Sequence, residues 1–231
     1  MNVSFRLVGH RGAPAYEPEN TSRSFFKAIE CGATAIEFDV RRTADGIPVV
    51  IHDEELERLV GKRRKVSEIE FSELYKYKVQ GKARIPTLNE VLALAKGRVA
   101  LDIEIKTLGV EEDVVDSIKE YELHDSVLIT SFLPGVLKMV KDIDGNVKLG
   151  ILVDEWDDEY LDIASELEVY AILPRHEELS REVIEKIKSA GYSIITWTVN
   201  DPDRAWELLS MGVDGIITDD PCKLCEVVKN E

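Results

Sequence analysis

Long uncharged segments are absent from this chain of 231 residues, in which no stretch without a charged side chain exceeds 12 residues. A membrane-spanning helix needs about 18 to 20 mostly apolar residues, so the sequence predicts no transmembrane segment. The first residues, Met1 to Arg6, also lack the basic and apolar regions of a secretory signal. The protein is therefore expected in the cytoplasm.

Positive charge is also in short supply. The chain has 29 lysines and arginines against 45 aspartates and glutamates, which gives a formal net charge of −16. Nucleic acid is not expected as a partner, because phosphate backbones are held by clustered positive charge. A homo-oligomer is compatible with this composition.

Cysteine and glutamine are scarce. Three cysteines, Cys31, Cys222 and Cys225, are too few for a disulfide framework, and the Cys222/Cys225 pair has no second pair to complete a zinc site. Structural roles are favoured over metal or redox roles. The single glutamine, Gln80, beside abundant glutamate and lysine is typical of hyperthermophile proteins, in which intracellular disulfides occur. A disulfide between Cys222 and Cys225, or another pair, is compatible with that composition.

What the sequence has in abundance is alternation of short β-rich runs with amphipathic helical stretches, which is typical of a parallel sheet covered by helices. Eight strands are predicted at 5–10, 35–41, 99–106, 127–132, 148–153, 169–173, 193–199 and 215–218. Helices are predicted at 22–31, 88–96, 111–121, 134–141, 155–166, 180–190 and 202–211, and from Pro221 onward. Eight strand and helix pairs predict a (β/α)8 TIM barrel, in a single domain over residues 1–231.

One segment after the second strand departs from this repeat. Residues 43–46 form a turn signal, and the β-rich run 47–52 follows too closely for a parallel crossover. An antiparallel hairpin is predicted, with His52 opposite Glu37 to Asp39. Residues 54–86 are then predicted to form a short, irregular insertion at the barrel mouth, and its basic run, Lys62 to Lys65, is interpreted as a solvated loop.

Acidic residues occur on two predicted strands where a barrel interior is normally apolar. Because side chains alternate along a strand, Glu37 and Asp39 share one face of the second strand, and Asp102, Glu104 and Lys106 share one face of the third. The opposite faces are apolar and must pack against the helices, so the acids point inward. Burying one unpaired carboxylate costs on the order of several kcal/mol, and something positive must therefore lie among them.

A bound divalent cation is the favoured interpretation. Glu37, Asp39 and Glu104 offer the hard oxygen ligands that suit Mg²⁺ or Ca²⁺, with Mn²⁺ also compatible. They lie near the carboxyl ends of strands, where barrel active sites are built. The alternative is an internal ion-pair network with Lys106, Arg11 or Arg41 and no metal.

Two histidines are predicted at the rim of this acidic cluster. His10 ends the first strand beside Arg11, and His52 ends the hairpin. Two imidazoles flanking a hard cation, with Arg11 and Lys106 adding positive charge, indicate general acid/base attack on a substrate that carries negative charge at oxygen. A phosphodiester fits this description.

The chain resembles the glycerophosphodiester phosphodiesterase family. The matching segments stand in the family's order over nearly the whole chain: His10-Arg11-Gly12, Glu17 to Thr21, Glu37 to Val40, Val49 to Asp53, Ile85 to Leu88, Glu104-Ile105-Lys106, Trp197 to Asn200 and Gly215 to Asp219. The resemblance implies hydrolysis of a small-molecule glycerophosphodiester to sn-glycerol 3-phosphate and an alcohol, within glycerol and lipid metabolism.

The resemblance also implies roles for single residues. His10 and His52 form the acid/base pair, in an order that is left open, while Arg11 and Lys106 lie near the phosphate. Glu19 belongs either to the site or to the cap of the helix that follows. Trp197 and an aromatic such as Phe132 line the pocket against the glycerol carbons, or serve the core instead.

The insertion departs from the family pattern. Many members carry a Thr-rich segment soon after the His-Asp pair, whereas this chain reads Leu56-Glu57-Arg58-Leu59-Val60-Gly61. The alcohol group that the site accepts is therefore left open. So is the choice between direct attack by water and a cyclic phosphate formed by the glycerol 2-hydroxyl.

Other functions fit some of the same residues. A lysophospholipase D-like or sphingomyelinase D-like enzyme would share the barrel and much of the site. An enolase-type lyase or isomerase also gathers acids from neighbouring strands, but normally brings a separate capping domain. A non-catalytic barrel that binds a metal or phosphate is the third alternative.

Overall fold

The computed structural model describes residues 5–229, which form a barrel of parallel strands surrounded by helices. Its strands are β1 (Leu7–Gly9), β2 (Ala35–Arg42), β3 (Pro48–Val50), β4 (Lys78–Val79), β5 (Ala83–Arg84), β6 (Ala100–Ile105), β7 (Val127–Ser131), β8 (Lys148–Val153), β9 (Ala171–Pro174), β10 (Ser193–Thr196) and β11 (Gly215–Thr218). All except β3, β4 and β5 belong to the barrel.

The helices are α1 (Ser22–Glu30), α2 (Glu57–Val60), α3 (Phe71–Leu74), α4 (Leu88–Ala95), α5 (Glu111–Glu120), α6 (Pro134–Ile143), α7 (Glu159–Leu167), α8 (Arg181–Ser189), α9 (Pro202–Ser210) and α10 (Pro221–Lys229). Short 3-10 turns lie at Val66–Glu68 and His124–Ser126. The longest helices have 10 residues, and within residues 5–229 no helix has the length and apolarity needed to cross a membrane.

The barrel closes because β1 pairs in parallel with β2 on one side and with β11 on the other. The other barrel strands follow one another in chain order. The predicted (β/α)8 TIM barrel is thus confirmed. The insertion, predicted to be irregular, contains α2, α3 and the antiparallel pair of β4 and β5. Among the predicted helices, the largest difference is at α7, which begins at Glu159 rather than at Glu155. The Asp157 carboxylate accepts a hydrogen bond from the Glu159 backbone N–H at 2.8 Å, which makes the preceding residues a turn.

Two apolar layers follow from alternation along the strands. The larger layer lies between the barrel and its helices and contains Ile36, Phe38 and Val40 of β2 together with their counterparts on β6. A smaller cluster fills the interior and includes Ala35, Ala100, Leu128, Leu152 and Ile217. The interior cluster occupies one end of the barrel, and the inward acids lie further toward the carboxyl ends of the strands.

The hairpin after β2 is also present. Strand β3 pairs antiparallel with β2, with Val50 opposite Val40, and the Ile51 N–H donates to the Asp39 carbonyl oxygen at 2.9 Å. The strand pairing ends at Val50, and His52 follows it at the end of the hairpin, where its ring lines the same cavity as Glu37.

The insertion has an apolar core of its own, made by nine buried residues: Val49, Ile51, Leu56, Leu59, Val66, Ile69, Leu74, Val79 and Ile85. In its basic run, Arg63, Arg64 and Lys65 form ion pairs with acidic residues of the insertion.

A disulfide links the first and the last helix around the barrel, α1 and α10. Cys31, at the end of α1, is bonded to Cys222, at the start of α10, with the two Cα atoms 4.5 Å apart. Cys225 is buried and free. The bond thus joins Cys222 to Cys31 and not to Cys225.

Candidate active site

Four acidic side chains project from β2 and β6 into the carboxyl end of the barrel. The parallel register places Glu37 beside Asp102 and Asp39 beside Glu104. All four are buried, with exposed fractions between 0% and 7%. Alternation along the two strands thus brings the predicted acids together inside the barrel, including Asp102, which precedes Glu104 by two residues on β6.

Three of these acids form a set that could hold a metal. Oxygen atoms of Glu37, Asp39 and Glu104 all lie within 4.8 Å of one another. Within residues 5–229, the buried Glu37 Oε1 has no hydrogen-bond donor, whereas Asp39 Oδ1 and Glu104 Oε1 have only the ammonium group of Lys106 as a partner. A buried oxygen without a donor is costly, and three converging carboxylates fit the hard-oxygen ligands of Mg²⁺ or Ca²⁺.

Two cationic side chains border the cluster. Lys106 Nζ lies 2.5 Å from Glu104 Oε1 and 3.1 Å from Asp39 Oδ1, while Arg11 Nε lies 3.3 Å from Asp39 Oδ2. The ion-pair network predicted as the alternative is therefore present, but within residues 5–229 it leaves Glu37 Oε1 without a cation or a hydrogen-bond donor. Two cations do not balance the four inward carboxyl groups.

Local backbone conformation aims Arg11 at the cluster. Arg11 has a φ of 51°, in the left-handed region, and its N–H donates to Glu37 Oε2 at 2.7 Å. Gly12 has a φ of 91°, and a Cβ there would clash with Ser24. Strained backbone of this kind is concentrated at functional sites, and here it explains the glycine of the His-Arg-Gly segment.

The electrostatics of the acids differ according to their neighbours. Burial raises the pKa of Glu37 well above its usual range, and Asp39 and Glu104 raise it further. Burial and the adjacent Asp39 also raise the pKa of Glu104, to about 8. Burial would raise the pKa of Asp39 as well, but Lys106 and Arg11 lower it to about 2. Without a further cation, the cluster therefore holds protons.

Each of the two histidines is held by a carboxylate through the same ring nitrogen. His10 Nδ1 lies 2.7 Å from Asp219 Oδ1, and His52 Nδ1 lies 2.8 Å from Asp53 Oδ1. Donation from Nδ1 leaves Nε2 of each ring available to exchange a proton with a ligand. Both rings line one cavity, and burial lowers the pKa of His52.

Arg58 connects the insertion to both sides of the site. It donates to Asp53, with Nε at 2.6 Å from Oδ2, and to both carboxylate oxygens of Glu19 at 2.7 Å. Glu19 in turn accepts from Arg11 Nη1 at 2.9 Å. The cap of α1 is Thr21, whose side chain accepts from Ser24 N–H. Glu19 is thus not that cap, and it contacts the site through Arg11.

The cavity beside the cluster has a volume of 150 Å³. Its lining comprises His10, Arg11, Glu37, His52, Asp102, Glu104, Lys106, Thr130, Phe132, Leu152, Trp197 and Ile217. Phe132 and Trp197 meet edge to face, with ring centroids 5.5 Å apart. They form an aromatic wall, and Lys106 Nζ lies 5.6 Å from the Phe132 ring centroid.

The structure brings the ten predicted site residues together around this cavity, which eight of them line. Asp39 and Glu19 adjoin it through their contacts with Lys106 and Arg11. Further residues contact the site and are not among the ten predicted ones. They include Asn20, whose Nδ2 donates to Asp39 Oδ2 at 2.7 Å, and also Asp219 and Arg58. The signals for Asn20 and Asp219 were their places in the Glu17 to Thr21 and Gly215 to Asp219 segments.

Comparisons with known proteins agree with this geometry. The model of the glycerophosphoryl diester phosphodiesterase family matches residues 10–223. A glycerophosphodiester phosphodiesterase from Caldanaerobacter subterraneus is 36% identical, with 96% of this chain and 97% of the relative covered. One from Bacillus altitudinis is 31% identical, with 96% and 97% covered.

Solved structures show the same architecture. A phosphodiesterase from Oleispira antarctica in complex with the product sn-glycerol 3-phosphate has a TM-score of 0.89 and 25% identity, covering 97% of this chain and 96% of that one. A glycerophosphodiester phosphodiesterase from Thermotoga maritima has a TM-score of 0.80 and 30% identity, covering 96% and 97%. With family match, sequence relatives and fold in agreement, this chain is a phosphodiesterase that belongs to the glycerophosphoryl diester phosphodiesterase family.

Proposed function

We propose that the protein hydrolyses glycerophosphodiesters to sn-glycerol 3-phosphate and an alcohol, with a divalent cation in the carboxylate cluster and the His10/His52 pair as general acid and base. The observation that carries the proposal is the shared cavity. Two of the three converging carboxylates, Glu37 and Glu104, line it together with the two carboxylate-held imidazoles, and Asp39 adjoins it through Lys106. The family match and the product named for the Oleispira antarctica structure support the substrate class.

The phosphoryl group would bind between the cations of this wall. Arg11 and Lys106 both line the cavity, and both contact Asp39. A phosphodiester oxygen could replace part of these contacts with the acid. Charged hydrogen bonds of this type are stronger than neutral ones. Arg11 and Lys106 would therefore orient the diester and stabilise the negative charge that develops on its oxygens.

The two imidazoles would transfer the protons. The one whose Nε2 is unprotonated would accept a proton from the attacking hydroxyl, and the protonated one would donate to the departing alkoxide. Asp219 accepts a hydrogen bond from His10 Nδ1, and Asp53 accepts one from His52 Nδ1. These bonds hold each ring with its Nε2 available for proton transfer. The attacking hydroxyl belongs either to water or to the glycerol C2 position.

Glu37, Asp39 and Glu104 would hold the divalent cation, for which Mg²⁺, Ca²⁺ and Mn²⁺ all suit oxygen ligands. When bound, the cation would supply positive charge next to the phosphoryl oxygens and lower the pKa of a coordinated hydroxyl. Its charge would also offset the mutual repulsion that raises the pKa of Glu37 and Glu104.

A screen of several glycerophosphodiesters, with each cation added back after chelation, tests the proposal. We expect release of glycerol phosphate that depends on added cation. No release from any glycerophosphodiester under all three cations would overturn the proposal and would favour a non-catalytic metal or phosphate-binding barrel.

One observation favours a second substrate class on the same site. Three apolar side chains in the loops after β6 and β7 are exposed, namely Leu108 (60%), Phe132 (38%) and Leu133 (43%). An acyl chain could lie along such a surface, which would allow a lysophospholipase D-like activity. Comparing glycerophosphocholine with lysophosphatidylcholine separates the two. A higher kcat/KM for the lysolipid would assign the enzyme to that class.

A further inference from the structure

The lower end of the cavity contains a buried polar pair that the proposed reaction does not use. Asp102 is 1% exposed and Thr130 is also 1% exposed, and both line the cavity. Thr130 Oγ1 donates to Asp102 Oδ1 at 2.6 Å, and this is the one hydrogen bond to the Asp102 side chain within residues 5–229. Asp102 is not part of the three-carboxylate set.

The position of this pair fits the far end of a short ligand. Asp102 precedes Glu104 by two residues on β6, which is about 6.6 Å along a strand. That separation is comparable to the length of a glycerol phosphate unit. Because Arg11, Lys106 and Asp102 line the same cavity, a phosphoryl group held by the two cations would leave a three-carbon chain within reach of Asp102.

The chemistry of this end selects a hydroxyl group. The neighbouring lining residues Leu152 and Ile217 are apolar and belong to the interior core, so they suit carbon atoms. Because the Thr130 proton is committed to Asp102, the Thr130 oxygen can only accept from a further ligand. A carboxyl group bonds a hydroxyl in either protonation state, so Asp102 can pair with a ligand hydroxyl with or without a proton of its own.

We propose that Asp102, with Thr130, recognises the terminal hydroxyl of the glycerol unit and so selects glycerol diesters over diesters whose alcohol lacks that group. The inference rests on the proposed function and assigns a specificity-determining residue to it. A site whose buried polar groups are built to bond a hydroxyl rejects an analogue that lacks the hydroxyl, because those groups then lose their partner.

The test compares two substrates and three proteins. The substrates are glycerophosphocholine and the analogue in which hydrogen replaces the terminal hydroxyl, a propane-1,2-diol phosphocholine. The proteins are wild type, Asp102→Leu and the control Asp116→Leu, which removes the same charge from the exposed face of α5. An apolar side chain in place of a buried acid is expected to fold, since burying an ionisable group is costly.

Wild type and the Asp116→Leu control are expected to favour glycerophosphocholine by roughly 10- to 100-fold in kcat/KM. In Asp102→Leu the ratio of the two kcat/KM values should fall to about one, because kcat/KM should decrease for glycerophosphocholine alone. Calorimetric binding of the two products, glycerol 3-phosphate and propane-1,2-diol phosphate, should show the same pattern without turnover. Unchanged cation binding in Asp102→Leu would show that the metal site is intact.

Equal losses on both substrates, or a preference in Asp102→Leu like that of wild type, would overturn the inference while leaving the proposed function in place. A wild type that hydrolyses neither substrate would overturn the proposed function itself. If Asp102→Leu does not fold, the smaller Asp102→Ala replaces it, and retention of the wild-type preference in that variant contradicts the inference.

Discussion

His10 and Asp219 lie 209 positions apart in the chain, yet His10 Nδ1 is 2.7 Å from Asp219 Oδ1. Barrel closure makes this contact, since β1 pairs with β11 and His10 N–H donates to the Thr218 carbonyl oxygen at 2.8 Å. Asp219 is further held by Asn200, whose Nδ2 donates to its second oxygen at 2.8 Å. The imidazole is thus oriented by two successive polar contacts.

Replacing Asp219 by Ala should lower kcat by roughly 10- to 100-fold, because His10 would lose the group that fixes its tautomer and orientation. The pH profile of kcat should shift as well, which a purely structural role would not produce. Asp220→Ala is the matched control, since Asp220 bonds Tyr16 instead of a histidine. Equal kinetics for the Asp219 and Asp220 variants would contradict the orienting role.

Replacing either His10 or His52 by Ala should lower turnover by roughly 100-fold or more, the usual size of a lost general acid or base. Both variants should keep cation binding and thermal stability, because neither ring belongs to the carboxylate set. Steady-state kinetics with glycerophosphocholine measures the effect. Full activity in His52→Ala would show that the hairpin supplies no catalytic side chain through His52.

Replacing Arg58 by Ala should raise the pKa of His52. Burial would raise the pKa of Asp53, but hydrogen bonds from Arg58 and His52 lower it to about 2. Arg58 thus offsets the negative charge of the Asp53 carboxylate. Without that arginine, the Asp53 carboxylate would favour the imidazolium form of His52. NMR titration of the His52 ring measures this shift, with the exposed Arg63→Ala of the same insertion as control. An unchanged or lowered pKa would contradict the connection.

The metal-free protein should lose stability as the pH rises from about 5 to 8. Burial raises the folded-state pKa of Glu104 to about 8 from an ordinary value of 4.5, so the folded state binds more protons than the unfolded state in that range. Glu37 shifts in the same direction. Thermal unfolding of the chelated protein measures the slope.

The Glu104→Gln variant is the control for that slope, since it keeps the side-chain shape and removes the titrating group. Its stability should depend less on pH over the same range. Saturating cation should reverse the loss in wild type, because a ligand that binds only the folded state stabilises it. A chelated wild type that becomes more stable between pH 5 and 8 would contradict the raised pKa values.

Much of the site could be predicted from the sequence because its central residues follow from local periodicity. Alternation along β2 and β6 is enough to send Glu37, Asp39 and Glu104 inward, and the turn after β2 is enough to return His52 to them. These contacts depend on strand geometry and on a hairpin of a few residues.

The residues that sequence reasoning missed are joined by tertiary packing. Arg58 reaches Glu19 across 39 positions, and its course depends on how the insertion packs around its own core. Cys31 meets Cys222 across 191 positions because α1 and α10 become neighbours only when the barrel closes. No periodicity in the sequence specifies either contact.

The central claim is that a divalent cation must bind among Glu37, Asp39 and Glu104. The most direct test measures the release of glycerol phosphate from glycerophosphocholine by chelated protein, while Mg²⁺, Ca²⁺ or Mn²⁺ is added back. We expect release to be abolished by chelation and restored by one of these cations with saturation at a single ion per chain. Undiminished release from protein whose metal content is far below one ion per chain would contradict the metal-dependent mechanism.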